Sequence, residues 1–102
     1  MKDSPAVEEA IKVLGTNLKT ARLRRRLPQS KVAERAGISL NTLVKIENGD
    51  LGVSIGNYAV AMLALGLGTP LKEIAEPARD KVGMSYDIND LPKRAREKKL
   101  EF

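Results

Sequence analysis

Pro28-Gln29-Ser30-Lys31-Val32-Ala33-Glu34-Arg35-Ala36-Gly37-Ile38-Ser39-Leu40-Asn41-Thr42-Leu43-Val44-Lys45-Ile46-Glu47-Asn48-Gly49 is the stretch on which the fold turns. It predicts two short helices joined by one tight glycine turn. The first spans residues 29–36, with Val32, Ala33 and Ala36 inward, and Gly37 supplies the left-handed conformation that stops it. The second spans residues 40–47, capped by Ser39 and ended by Asn48-Gly49. Its inward residues are Leu43, Val44 and Ile46, which leaves Leu40, Asn41, Thr42 and Lys45 on an outward edge.

On the N-terminal side, Ser4-Pro5 is a cap followed by a proline at the first helical position. Val7, Ile11, Leu14, Leu18 and Ala21 then recur at spacings of four and three, one stripe of an amphipathic helix that Arg24-Arg25-Arg26 closes at its negative end. Gly15 weakens that helix by up to ~1 kcal/mol, so residues 1–13 are read as an N-terminal helical extension. On the C-terminal side, Ser54 caps a fourth helix with Ile55, Ala59, Met62 and Leu65 toward the core and Gly66 at its end. Thr69-Pro70 opens a fifth that Pro77 interrupts. The expected fold class is all-α, five short helices around an aliphatic core, with the main domain over residues 14–76.

Beyond it the period changes. Val82, Met84, Tyr86 and Ile88 alternate with Gly83, Ser85 and Asp87, which is strand spacing. A lone strand is unstable, so residues 77–90 are read in two ways: a strand paired across a twofold axis with a second subunit, or an extended segment packed on its own helices. Residues 91–102 are basic and poor in apolar side chains, and read as a flexible tail.

The 102 residues suffice for one core, and with 42% hydrophobic but 3% aromatic content that core is built from Leu, Ile, Val and Ala. The absence of histidine and cysteine removes imidazole bases, thiolates, disulfides and the commonest zinc ligands. No catalytic residue, metal or cofactor is expected. No run approaches the roughly 20 apolar residues of a membrane span and no apolar signal core follows Met1, so the expectation is a soluble cytoplasmic protein without a membrane partner. The net charge of +5 is unevenly spread: residues 1–36 hold nine Lys/Arg against four Asp/Glu, residues 37–90 four against seven, and residues 91–102 five against two. Both ends attract polyanions.

Taken together, Gln29 opening the second helix, Ala33 and Gly37 at the turn, Ser39 capping the third helix and Ile46-Glu47-Asn48-Gly49 ending it resemble the Xre family of lambda-repressor-like helix-turn-helix proteins. The resemblance covers roughly residues 14–67. It implies that the third helix is the recognition helix and that Leu40, Asn41, Thr42 and Lys45 face bases; Leu40 departs from the polar residue common there. Chemically, Asn41 suits adenine, Lys45 suits guanine O6 or N7, and Leu40 and the Thr42 methyl suit a thymine methyl. The expected phosphate contacts are Gln29 and Ser30 at a positive helix end, Lys31, Arg24, Arg25 and Arg26 through charge, and Ser54 and Asn57 at the next helix start. Helix capping is the plain alternative for the last two, and simple solvation for the arginines. Arg22 and Glu47 both sit on the core side of their helices, where a lone charge is costly, and should pair; the resemblance implies the same.

One such domain offers few contacts, so a homodimer on a near-palindromic double-stranded operator is expected. More narrowly, Ile74-Ala75-Glu76-Pro77-Ala78-Arg79-Asp80, Val82-Gly83-Met84 and Leu91-Pro92-Lys93-Arg94-Ala95-Arg96 resemble HipB-type antitoxins, which implies an autoregulated operon and a HipA-type kinase partner. The competing classes are weak. An enzyme would have to work with carboxylates and lysines scattered over helix faces. An RNA reader would stack bases on aromatics, but Tyr58, Tyr86 and Phe102 are isolated.

Overall fold

A computed structural model describes residues 3–86. In chain order the helices are α1 (Pro5–Arg24), α2 (Gln29–Ala36), α3 (Leu40–Glu47) and α4 (Ile55–Ala64). Two 3-10 turns follow, Pro70–Glu73 and Pro77–Arg79, and then a single helical turn, α5 (Lys81–Met84). The fold is all-α, with no strand among the described residues.

The chain divides into two compact units between Leu71 and Lys72. In the first, α1 to α4 enclose a core of Leu18, Ala21, Val32, Ala33, Leu43, Ile46, Tyr58, Ala61, Met62 and Leu65. Aliphatic side chains dominate it, and Leu43, Ile46 and Val32 are the largest that are fully buried. The α2–α3 turn follows its residues: Gly37 takes φ +71°, and the Ser39 hydroxyl accepts the Thr42 amide at 3.0 Å to cap α3.

The structure departs from four sequence expectations. Ser4 holds the N-cap position of α1 without a side-chain hydrogen bond, and Val7, in the first turn beyond the reach of the core, is exposed. On α4, Ile55 is 70% exposed and Tyr58 takes the buried place, because its hydroxyl donates to the Asp50 carbonyl at 2.8 Å and so satisfies both itself and the α3–α4 loop. Finally, Val82 and Met84 lie in α5 rather than in a strand, with Tyr86 just beyond it, and all three are exposed. The local reason is Asp80, whose Oδ1 accepts the Gly83 amide at 2.8 Å while its carbonyl accepts the Met84 amide at 2.8 Å. A capped turn outweighs a short alternation. Ile88 and the basic tail lie outside the described residues.

Candidate nucleic-acid interface

The interface is built around how α3 is held. Leu43 and Ile46 fasten one side of the helix into the core, at 1% and 0% exposure. The opposite side carries Leu40, Asn41 and Lys45, all exposed, with Thr42 half-buried at its margin. Thr42 is partly committed, since its Oγ1 accepts the Ser39 hydroxyl at 2.8 Å while its amide caps back onto Ser39. The edge thus offers an aliphatic side chain, an amide with paired donor and acceptor, and an ammonium, within less than two helical turns.

Two ties fix the far end of α3 against α1. The first is ionic: Arg22 Nε donates to Glu47 Oε2 at 2.7 Å and Nη2 to Oε1 at 3.1 Å, a bidentate pair with both residues 7% exposed. Arg22 Nη1 also donates to the Leu27 carbonyl at 2.9 Å, which anchors the α1–α2 connection. The second tie is steric. A Cβ on Gly15 would lie 2.5 Å from the Ile46 carbonyl oxygen and 2.8 Å from the Gly49 amide nitrogen, and one on Gly49 would lie 2.6 Å from Lys12 Cα. The backbone leaving α3 therefore rests directly on the α1 backbone. Sequence reasoning priced Gly15 as a weakness and missed this contact; the signal was a glycine at a position facing the same partner as Leu14 and Leu18.

Gln29 belongs to the same network. Its Nε2 donates to Glu47 Oε1 at 3.0 Å, so one amide hydrogen is spent inside the protein and α2 is joined to α3. The start of α2 is otherwise open: Pro28 is the N-cap and gives no side-chain cap, and the Lys31 and Val32 amides return to the Pro28 carbonyl. The Gln29 and Ser30 amides, next to exposed Ser30 and Lys31 side chains, are the uncommitted donors at this positive helix end. Ser54 differs, because its Oγ already accepts the Asn57 amide at 3.1 Å as the cap of α4, leaving the hydroxyl hydrogen and the half-buried Asn57 side chain for other partners.

Arg24, Arg25 and Arg26 are exposed at the end of α1. Arg25 Nη1 folds back to donate to the Ala21 carbonyl at 2.9 Å. Arg26 holds φ 54°, the left-handed region in which a side chain is strained. The two serve different ends, one closing the helix and the other carrying charge outward from a tight turn.

A family model described as Helix-turn-helix domain matches residues 13–76, from α1 through the first 3-10 turn. No curated protein and no solved structure matches the chain. The match spans more than half of the sequence and contains the whole α2–turn–α3 unit with its outward edge. The chain belongs to the helix-turn-helix domain family of DNA-binding proteins.

Proposed function

We propose that the chain is a sequence-specific transcriptional repressor that binds a near-palindromic duplex as a homodimer through α3. The observation that carries this reading is the edge of α3, where Asn41 and Lys45 stand exposed while Leu43, Ile46 and Glu47 fix the opposite side. A rigidly seated helix with polar side chains outward suits the major groove, whose base edges those side chains can distinguish by ~1–3 kcal/mol each. The Arg24–Arg26 cluster, the open start of α2 and the start of α4 then suit the flanking phosphates. Bound over a promoter, such a dimer would exclude polymerase.

The finer reading is that the protein is the antitoxin of a HipA-type kinase and represses their shared operon. It rests on the resemblance of residues 74–84 and 91–96 to HipB-type antitoxins. A stand-alone Xre-type regulator is the alternative, and co-purification with the product of an adjacent kinase-like reading frame decides between them.

The DNA reading is tested by selecting bound sequences from random duplexes and titrating the winner with salt. With six to ten phosphate contacts per dimer, affinity falls by ~10³–10⁵ between about 50 and 200 mM salt. Asn41→Ala and Lys45→Ala should erase preference at particular base pairs and leave the salt slope nearly intact. Unchanged preference in both variants would remove α3 as the reader.

A further inference from the structure

The outer face of α4 is the feature that DNA recognition leaves unused. Residues 51–71 contain no Asp, Glu, Lys or Arg, although charged residues make up 30% of the chain, and the next longest uncharged stretch, residues 36–44, is the turn before α3 and the first residues of that helix. Within the run, α4 buries Tyr58, Ala61 and Met62. Its opposite side presents Ile55, Gly56, Ala59, Val60 and Leu63, with Ile55 70% and Leu63 57% exposed. A surface helix ordinarily places charged residues on that side, and a helix apolar all round is one that is covered.

We propose that this face docks a second copy of the chain about a twofold axis passing near Leu63; its role in operator binding rests on the repressor reading above. Electrostatics favour a second copy. On a twofold axis every side chain meets its own counterpart, so a charge there opposes a like charge, and two chains of net +5 already repel. The run around α4 is the long stretch of sequence on which that conflict does not arise.

Shape agrees with charge. Gly56 and Ala59 form a low strip between Ile55 and Leu63, so that large side chains of one copy can seat against small ones of the other. Gly56 has no need of its own within the chain: an added Cβ would meet nothing nearer than the Ser54 Oγ at 3.8 Å. Glycine disfavours a helix, and close approach of another backbone is a reason to keep it. One face of a ten-residue helix is smaller than the ~800 Å² per partner of a standard interface, so the free dimer is weak and two adjacent half-sites complete it.

The test compares the whole chain with Leu63→Lys, Leu63→Glu and an equal mixture of the two, by sedimentation equilibrium without DNA. The expected results are a reversible dimer for the unsubstituted chain, association weakened by roughly a hundredfold in each variant, and pairing restored in the mixture. At concentrations low enough to keep every protein monomeric, melting temperatures should be unchanged, because Leu63 is 57% exposed. A chain that stays monomeric at every concentration overturns the proposal, as does a Leu63→Lys variant that still dimerises. A lowered melting temperature in both variants at those monomeric concentrations overturns it as well, since it would mean that the chain covers this face itself. The two readings fail separately: a dimer abolished by Leu63→Lys but indifferent to DNA sequence keeps this interface and removes the repressor.

Discussion

Gly15 and Gly37 are both needed, for opposite reasons, and substitution separates them. At Gly15 the obstacle is space, because an added Cβ would press on carbonyl and amide groups at the end of α3 that cannot move aside without shifting the helix. At Gly37 there is nothing within 4 Å, and the obstacle is φ +71°. Gly15→Ala should therefore destabilise by ~1–3 kcal/mol through overpacking, against the ~1 kcal/mol that alanine normally lends a helix. Gly37→Ala should cost ~1–2 kcal/mol, and Gly37→Asn less, since asparagine tolerates the left-handed region. Denaturant midpoints measure both, and a stabilised Gly15→Ala protein would refute the close contact. Glu47 makes a third case at this scale. Its removal leaves the Arg22 guanidinium buried and Gln29 without its acceptor, so Glu47→Ala should lose ~3–5 kcal/mol, while an Arg22→Met/Glu47→Leu double variant should recover much of that loss. Thermal melts of the three proteins decide it; an unchanged melting temperature for Glu47→Ala would mean that the pair holds nothing together.

At the scale of elements, the joint between α1 and α2 sets stability against charge. Arg26 stands where glycine is the comfortable residue, and its side chain is exposed beside the open start of α2. Arg26→Gly should raise stability by ~1 kcal/mol while weakening duplex binding alike on all sequences, with the salt slope reduced by about one. Melting and salt titration of the same variant check both halves, and equal DNA affinity would remove Arg26 from the phosphate contacts. How far elements could be read from sequence depended on how many local signals agreed. The bounds of α2 and α3 were legible because Pro28, Gly37, Ser39 and Gly49 each forbid or favour one backbone geometry, whatever surrounds them. Arg22 and Glu47 could be paired because a lone charge on a core-facing position has few solutions. The register of α4 was not legible: with Ile, Tyr, Val, Met and Leu around its whole circumference, period alone cannot choose a face, and the choice is made by the hydrogen bond from Tyr58 to Asp50. Residues 82–86 misled for a related reason, since three alternating apolar positions say less than one aspartate cap.

For the molecule as a whole, the pH response should be simple because the composition is. With no histidine and no cysteine, no side chain has an ordinary pKa between about 5 and 8, and folding stability should be level across that range. The alkaline side is different. Burial of the Tyr58 phenol, with the nearby Asp50 carboxylate adding to it, raises its pKa above the usual value of 10.0. Below pH 10 the phenol is neutral in folded and unfolded chains alike, and its contribution is complete. Above it the unfolded chain releases the proton first, so the unfolded state gains, and stability declines until the pH passes the raised value in the folded protein. Tyr58→Phe removes this dependence, yet it also deprives the Asp50 carbonyl of its donor, so the variant should be less stable at neutral pH by ~1 kcal/mol. The two stability curves should therefore converge as pH rises beyond 10. Denaturant unfolding of both proteins at a series of pH values measures the gap. A gap that stays constant or widens would mean that the Tyr58 hydroxyl ionises at least as freely in the fold as outside it, and that the loop between α3 and α4 is not pinned where the hydrogen bond places it.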